Sequence, residues 1–346
     1  MDQQSVKKII TVVLMELCLS WQAHAQQTIT KVNPPVFGFY GKQLDCDGIM
    51  IRSSAQVDDK ALLIAAQKIN LILANIPNAR RNLARWGAEL HIIGKDQQTS
   101  DLPEFRDQKG VKFQDNGTNT DIDARTRGMG GIYTSCGEEN LLNLPGDRYA
   151  GGSDICIHEF AHNIMFFGLG DTLQNKIKQQ YQNAIHKGLW TDAYAARSAG
   201  EYWAELSMWY FGAHGEFLNG TRLPAPGAQG LMKYDPEGYA LLNVIYSGKL
   251  PIAVANITPA KRLTAKAASG NGREKAVLMI ANNTSHKVKL FWIDFLGKAH
   301  SYGELSAYNR GIQITFVSHV WQIEDDKGKV LAYFSPTTPN AVAIIN

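Results

Sequence analysis

The sequence predicts an α+β domain followed by a small all-β sandwich. Between residues 48 and 247, segments in which apolar residues recur at helical spacing alternate with short apolar runs typical of strands. Beyond about residue 275, short strand-like runs follow one another at close intervals and are separated by turn residues, as in sandwiches and barrels. The 346 residues are enough for two such domains.

Composition places the chain among globular proteins. Hydrophobic residues make up 45% and charged residues 19% of the sequence. The formal net charge is only +3, and no long basic run is present, so nucleic acid is not an expected partner.

The N-terminus has the pattern of a secretory signal. Lys7 and Lys8 precede an apolar run over 9–21, and Ala23-His24-Ala25 supplies small residues at the cleavage positions. We therefore expect a signal peptide over 1–25 and a secreted or periplasmic mature chain from about Gln26; a retained N-terminal anchor is the alternative. No later segment has 18 uninterrupted apolar residues, so no membrane span is expected in the mature chain.

The elements of the first domain, residues 26–256, follow from periodicity. We predict strands over 48–54, 88–94 and 130–135, and helices over 58–76, 153–167, 171–187, 198–211 and 236–247. Residues 95–127 are polar and predict a long surface loop.

The second domain follows a change in composition. Residues 257–275 are small, polar and basic with little periodicity, which predicts a linker. Residues 276–346 contain the strand-like runs of the sandwich, and the turn "DDKGK" predicts a hairpin between the last two of them.

Removal of the signal would leave three cysteines, Cys46, Cys136 and Cys156. In an oxidising compartment one pair can form a disulfide. Cys46 with Cys136 is the pairing we expect, because Cys156 falls inside a predicted helix; three free thiols are the alternative.

The stretch "HEFAH" carries the chemistry of the first domain. His158 and His162 are four residues apart, so a helix places both imidazoles on one face, where they can bind a single Zn²⁺ ion. Glu159 lies about 100° around the helix, where it can reach a water rather than the ion. This arrangement is typical of zinc peptidases with a carboxylate general base. The alternative is two core histidines bonded to backbone carbonyls.

Zinc catalysis needs a third protein ligand and one open position. The segment "SAGEYWAELSMWYFG" offers Glu201 as the ligand, with Glu205 holding a histidine by its other ring nitrogen. Ser198 and Glu201 also fit a capping box, in which Glu201 would bind only a backbone N–H and Glu205 would become the ligand.

A phenol or an imidazolium often stabilises the oxyanion that forms during peptide hydrolysis. Tyr194, seven residues before Glu201, is one candidate. Its competitors are Tyr202, His186 and His214, and composition alone does not separate them.

The pair "HEFAH" and "EYWAE", with a tyrosine seven residues before the first glutamate of the second motif, resembles the catalytic domain of anthrax lethal factor. The resemblance is clear over about 150–212 and implies a zincin-like metallopeptidase domain. It implies that His158, His162 and Glu201 bind zinc and that Glu159 activates water. It further implies that Tyr194 assists at the oxyanion or leaving group, with Glu205 supporting a ligand.

Residues 276–335 resemble the β-domain of the von Hippel–Lindau tumour suppressor. The shared pattern is an Asn-rich turn, "WIDFLG", a Tyr-x-x-Leu and "SHVW". That family binds a hydroxyproline-containing peptide, and the resemblance implies a peptide-binding set at Tyr302, Thr315, His319 and Trp321. Thr315 stands where the family has serine. The alternative is a purely structural sandwich in which Trp292 and Trp321 belong to the core.

The sequence therefore favours an exported zinc metallopeptidase that acts on a peptide or protein substrate and carries a peptide- or protein-binding β-module. The alternatives are a non-catalytic binding or adhesion protein with a structural or vestigial zinc site, and a hydrolase of non-peptide amides or esters. Nothing in the pattern specifies the cleaved sequence or the oligomeric state.

Overall fold

The computed structural model describes residues 28–115, 117–218 and 220–346, and the predicted signal peptide lies outside them. The first part of the described chain contains eight strands: β1 (Ile29–Val36), β2 (Tyr40–Cys46), β3 (Ile49–Ser53), β4 (Glu89–Ile93), β5 (Phe113–Asp115), β6 (Thr118–Thr120), β7 (Gly128–Met129) and β8 (Tyr133–Gly137). Its helices are α1 (Asp59–Leu73), α2 (Pro77–Trp86), α3 (Ile122–Arg125), α4 (Glu138–Leu142), α5 (Ile155–Asn163), α6 (Asp171–His186), α7 (Ala199–Tyr210), α8 (Ala228–Tyr234) and α9 (Pro236–Tyr246).

Six of these strands form one mixed sheet in the order β1-β2-β3-β4-β8-β7. β1, β2 and β3 are antiparallel, whereas β3, β4 and β8 run parallel, with helices α1 and α2 in the connection from β3 to β4. The two-residue strand β7 pairs antiparallel with β8 and forms the edge of the sheet. The α+β class expected for this part is therefore confirmed.

Helix α1 shows how local sequence builds this layer. The carboxylate of Asp58 accepts a hydrogen bond from the Lys60 N–H at the start of the helix. Its buried face repeats at helical spacing and covers the sheet through Leu62, Ala66 and Ile69. The separate helix α2, which the sequence analysis did not predict, begins at Pro77 and ends at Gly87 with φ +74°.

Residues 95–127 are not the simple surface loop expected from their polarity. They contain two 3₁₀ turns, the β5–β6 hairpin and α3. Their polar residues include Glu104 and Arg127, both buried. Arg127 bonds the Glu139 carboxylate through Nε at 2.6 Å and through a terminal nitrogen at 2.7 Å. Because buried charges are paired in this way, polarity alone gave the wrong prediction.

The C-terminal part is a two-sheet sandwich. Its strands are β9 (Ile257–Pro259), β10 (Lys261–Leu263), β11 (Lys275–Asn282), β12 (Val288–Ile293), β13 (Ala299–Leu305), β14 (Arg310–Phe316), β15 (Val320–Glu324), β16 (Val330–Ser335) and β17 (Asn340–Ile345). They form a five-stranded sheet, β10-β16-β15-β12-β13, and a four-stranded sheet, β14-β11-β17-β9. The hairpin expected at "DDKGK" joins β15 to β16.

The segment 257–275 was expected to be a linker, but its first residues belong to the sandwich. β9 pairs with β17 and β10 pairs with β16, so one short segment contributes a strand to each sheet. The preceding residues are also held, because Asn82 donates to the Ala253 carbonyl at 2.9 Å and accepts from the Ala255 N–H at 2.8 Å. Small polar residues predict a flexible chain, but the backbone N–H and C=O groups of these short strands are paired with neighbouring strands.

The sandwich packs directly against the first domain. The Phe37 and Tyr308 rings stack at 4.7 Å, and the Arg310 guanidinium lies 4.7 Å from the Tyr133 ring centre. The Asn309 side chain donates to the Glu104 carbonyl at 3.1 Å. These contacts join the β-module to the β1–β2 turn, to strand β8 and to a 3₁₀ turn that follows β4.

The expected Cys46–Cys136 disulfide is wrong, since Cys136 is a buried thiol that takes part in no disulfide. Cys46 lies on β2 and Cys136 on β8, and strands β3 and β4 separate them. Three strand spacings amount to about 14 Å, far beyond the reach of a disulfide. Cys136 instead hydrogen-bonds Cys156, and burial raises its pKa well above the ordinary value. Within the described ranges, no helix is both long and apolar enough to cross a membrane.

Candidate metal centre and active-site cleft

Helix α5 brings the first three candidate residues to the site. Its N-cap, Asp154, accepts a hydrogen bond from the Ile157 N–H at 3.1 Å and also pairs with Lys68. This cap fixes the start of the helix four residues before His158. The helix continues into a π-helical turn over 164–168, so His162 lies just before a change in helical pitch.

Helix α7 supplies the carboxylates. The Ser198 hydroxyl accepts from the Glu201 N–H at 3.1 Å and caps the helix. The Glu201 side chain, however, turns toward the histidines of α5 rather than back to Ser198. The geometry thus favours Glu201 as a metal ligand over the capping-box alternative.

Three ligand atoms converge at this point. Glu201 Oε2 lies 3.2 Å from His158 Nε2 and 3.2 Å from His162 Nε2. The two Nε2 atoms are 3.3 Å apart. In a tetrahedral zinc site with bonds of about 2.0–2.1 Å, neighbouring ligand atoms are separated by about 3.3 Å. The triangle therefore has the dimensions of one face of such a tetrahedron, and these three residues could hold a metal ion.

The donor atoms also fit a metal on chemical grounds. Glu201 Oε2 is buried and has no hydrogen-bond partner, although it lies between two imidazole nitrogens. A buried carboxylate oxygen without a partner is costly. Coordination of a divalent cation by this oxygen and the two nitrogens would satisfy all three atoms at once.

The electrostatics of the triad are those of a strongly coupled group. Burial alone would lower the pKa of His158, but the carboxylates of Glu201 and Glu205 outweigh it and hold that pKa well above its usual range. Burial would raise the pKa of Glu201, yet the two histidines lower it to about 2. Glu201 is therefore ionised at neutral pH, as a metal ligand must be.

Glu205 lies behind His158. Its Oε1 is 3.1 Å from His158 Nδ1, close enough for a hydrogen bond, although the two atoms are not well aligned for one. Its Oε2 accepts from the Glu216 N–H at 2.7 Å, which fixes the carboxylate. The position suits a residue that orients the imidazole through its other nitrogen, and not a third ligand.

Glu159 and Tyr194 line one cleft of about 510 Å³ together with His158. Burial raises the pKa of the Glu159 carboxyl. The Tyr194 ring lies 6.1 Å from the His158 ring, and burial followed by the charge of Glu201 raises its pKa to about 12. The phenol therefore keeps its proton at neutral pH and can donate a hydrogen bond within the cleft.

The competitors of Tyr194 are less well placed. The Tyr202 hydroxyl is buried and donates to Asp235 at 2.6 Å. His186 is exposed near the end of α6 and is not among the residues of the cleft. His214 does line the cleft, but its ring nitrogens lie 2.8 and 2.6 Å from the carbonyl oxygens of Gly215 and Gly151. Of the four candidates, only Tyr194 lines the cleft and has a side chain that is not bonded in the way that Tyr202 and His214 are.

Glycines in the edge strand β7 and directly after it let the backbone approach the site closely. A Cβ at Gly130 would lie 2.9 Å from the His162 Cβ, and one at Gly128 would lie 3.0 Å from the Glu159 Cγ. Both positions therefore favour glycine for steric reasons. The contacts of these glycines with Glu159 and His162 depend on the tertiary fold, so no local sequence pattern indicates them.

Sequence analysis missed three arginines that line the cleft, Arg125, Arg148 and Arg197. Arg197 lies over the Tyr194 ring at 4.3 Å, and Arg125 pairs with Asp115 at 3.0 Å. No short motif connects these residues, because they come from three separate segments. Only their position in the folded chain identifies them.

The four candidate residues of the β-module also lie together. The Trp321 indole donates to the Thr315 hydroxyl at 3.1 Å, and that hydroxyl lies 3.2 Å from His319 Nδ1. The Tyr302 ring is half exposed and meets the Trp321 ring edge-on at 5.0 Å. Trp321 is part of the sandwich core, as the structural alternative expected, whereas Tyr302 faces solvent.

Comparison with known proteins gives two matches. Residues 267–330 match the family model of the VHL beta domain, which confirms the C-terminal resemblance over that range. The structure is similar to that of the Pro-Pro endopeptidase PPEP-2 from Paenibacillus alvei, with 16% identity and a TM-score of 0.41 over 56% of this chain and 96% of that chain. The second likeness is too distant to assign chemistry. No curated protein sequence matches the chain.

Proposed function

We propose that this protein is an exported zinc-dependent metallopeptidase whose C-terminal β-module binds peptide or protein. The observation that carries the proposal is the triangle of His158, His162 and Glu201 ligand atoms beside a cleft that also contains Glu159 and Tyr194. The likeness of "HEFAH" and "EYWAE" to the lethal factor catalytic domain supports the same assignment. Export rests on the N-terminal pattern of residues 1–25 alone.

Each residue has a defined task in this proposal. A zinc ion held by the triad supplies a Lewis acid that polarises a carbonyl and lowers the pKa of a water to about 7. Glu159 takes a proton from the attacking water and later passes it to the leaving amine. Its raised pKa suits this exchange, because a group that both takes and returns a proton is most effective when its pKa lies near the operating pH. Tyr194 donates a hydrogen bond to the oxyanion as charge develops there.

The decisive experiment compares the wild-type chain with Glu159→Gln. Both proteins are loaded with zinc, their metal content is measured, and they are incubated with a broad peptide library analysed by mass spectrometry. We expect one zinc per chain in both and a loss of turnover of at least about 10²-fold in the variant, since proton transfer by a positioned side chain contributes that much or more. Zinc binding without cleavage by either protein would favour a binding or adhesion protein with a structural metal site. Ester and small amide substrates in the same assay would reveal a non-peptide hydrolase.

For the β-module, we propose a peptide-binding surface around Tyr302. The exposed Tyr302 ring and the linked Thr315, His319 and Trp321 side chains support it. The test is binding of proline-rich and hydroxyproline-containing peptides to the full chain by calorimetry, with Tyr302→Ala as the variant. Exposed Leu296 provides a matched surface control, Leu296→Ala. Equal binding by all three proteins, or none, would leave the module a structural sandwich.

A further inference from the structure

The candidate active-site cleft contains three arginines that its proposed chemistry does not use. Arg125, Arg148 and Arg197 all line the cavity that contains His158 and Glu159. None of the three is a candidate zinc ligand, general base or oxyanion donor. Arginine presents a planar fork of N–H donors that matches a carboxylate, so a group of arginines in a cleft is suited to recognising that group.

Arg148 is the member whose charge is most available. Its terminal nitrogens donate to the carbonyls of Ala124 at 3.0 Å and Asp123 at 3.3 Å, near the C-terminal end of α3. These bonds hold the guanidinium at the wall of the cleft. Across the described part of the chain, no carboxylate lies within ion-pair distance of it. The four acidic groups of the cleft have partners or roles of their own. Asp115 pairs with Arg125, Glu216 accepts from the Tyr194 N–H at 2.8 Å, Glu205 accepts from the Glu216 N–H at 2.7 Å, and Glu159 is the proposed general base.

Arg197 is close enough to act on a residue near the cleaved bond. The Tyr194 ring is 6.1 Å from the His158 ring, and the Arg197 guanidinium lies 4.3 Å from the centre of the Tyr194 ring. Added together, these two distances equal the length of about three residues of an extended peptide. Arg125 and Arg148 line the same cavity as Glu159 and Tyr194.

We propose that Arg148, with Arg125 and Arg197, forms a carboxylate-binding subsite, so that the preferred substrate places a carboxylate within about three residues of the scissile bond. The inference rests on the proposed peptidase function and adds a substrate class to it. The carboxylate comes either from an Asp or Glu side chain or from the C-terminus of the peptide. Arg148 acts by binding and positioning substrate, and takes no part in proton transfer.

The test uses the full-length, zinc-loaded chain and matched peptides. One set carries Glu, Gln or Lys at each position on either side of the cleaved bond, and a second set ends in a free carboxylate or an amide. We expect the carboxylate form to be cleaved about tenfold faster at low substrate concentration, as for a hydrogen bond to a charged group. Arg148→Gln should remove most of this preference, mainly through a higher KM. Exposed Arg81 on α2 provides the control Arg81→Gln, which should retain it.

The outcomes separate the inference from the proposed function. Cleavage of Glu and Gln peptides at equal rates, and of free acid and amide at equal rates, would overturn the inference and leave the peptidase intact. If no peptide is cleaved, the affinity of zinc-loaded Glu159→Gln for the same peptides decides the matter. A preference for carboxylates that Arg148→Gln abolishes would then support the subsite without the peptidase, and equal affinities would overturn both.

Discussion

Substitution of Gly130 by alanine tests whether the edge strand and the glycine directly after it set the geometry of the candidate metal site. A Cβ at this position would lie 2.9 Å from the Cβ and 3.0 Å from the Cδ2 of His162. Ordinary carbon contacts begin at about 3.5 Å, so the backbone or the imidazole must move by about half an ångström. Metal sites tolerate deviations of about 0.2 Å in ligand distance. We therefore expect Gly130→Ala to weaken zinc binding by about 10- to 100-fold, the range found when the support of a ligand is lost.

The assay is competition for zinc against a chelator of known affinity, with circular dichroism to show that the fold is retained. Gly170 provides the control, because it lies in the same domain, its φ is −81°, and no atom lies within 4 Å of an added Cβ. Gly170→Ala should bind zinc as tightly as the wild type. If Gly130→Ala is folded and also binds zinc with wild-type affinity, the edge strand does not position His162, and the steric reasoning fails.

Three further results are expected. Glu205→Gln should lower zinc affinity by about 10- to 100-fold in the same competition assay, since its carboxylate lies at the second nitrogen of His158. Tyr194→Phe should lower kcat by about 10²-fold with little change in KM if the phenol serves the oxyanion, and an unchanged kcat would remove it from the mechanism. Burial alone would lower the pKa of His91, but the carboxylates of Glu104 and Glu89 raise it to about 9. The raised pKa means that the protonated imidazole stabilises the folded state. This stabilisation is complete below pH 6.5 and is lost as the pH rises through 9, so the free energy of unfolding measured with urea should fall by at most about 3 kcal/mol over that range. In His91→Gln that pH dependence should be absent.

The residues of the metal centre could be predicted because most of their geometry is local. His158 and His162 share a helix face whatever surrounds the helix. The position of Glu201 beside the histidines depends on a second helix packing against the first, and only the spacing of its motif indicated this packing. The choice between capping and coordination depended on where the Glu201 side chain turns, which periodicity does not determine.

The predictions that failed depended on tertiary neighbours. Whether Cys46 and Cys136 can form a disulfide depends on the order of strands in the sheet. β3 and β4 lie between β2 and β8, and this order excludes the pairing. The polarity of residues 95–127 could not distinguish solvated side chains from buried ion pairs such as Arg127–Glu139. The arginines of the cleft come from three separate segments, so no spacing rule brings them together.

Two requirements meet at the start of α7, and the structure satisfies them with different side chains. The first turn of any helix leaves N–H groups without partners, and an N3 glutamate is often used to complete the cap. Here the Ser198 hydroxyl accepts a hydrogen bond from the Glu201 N–H, as in a capping box, but the Glu201 carboxylate lies against the two imidazoles instead of closing the box on the Ser198 N–H. Ser198 therefore supplies the cap alone, and Glu201 lies where it could bind a metal ion. The geometry of this candidate site depends on where each of the two helices begins, and Asp154 and Ser198 fix those positions.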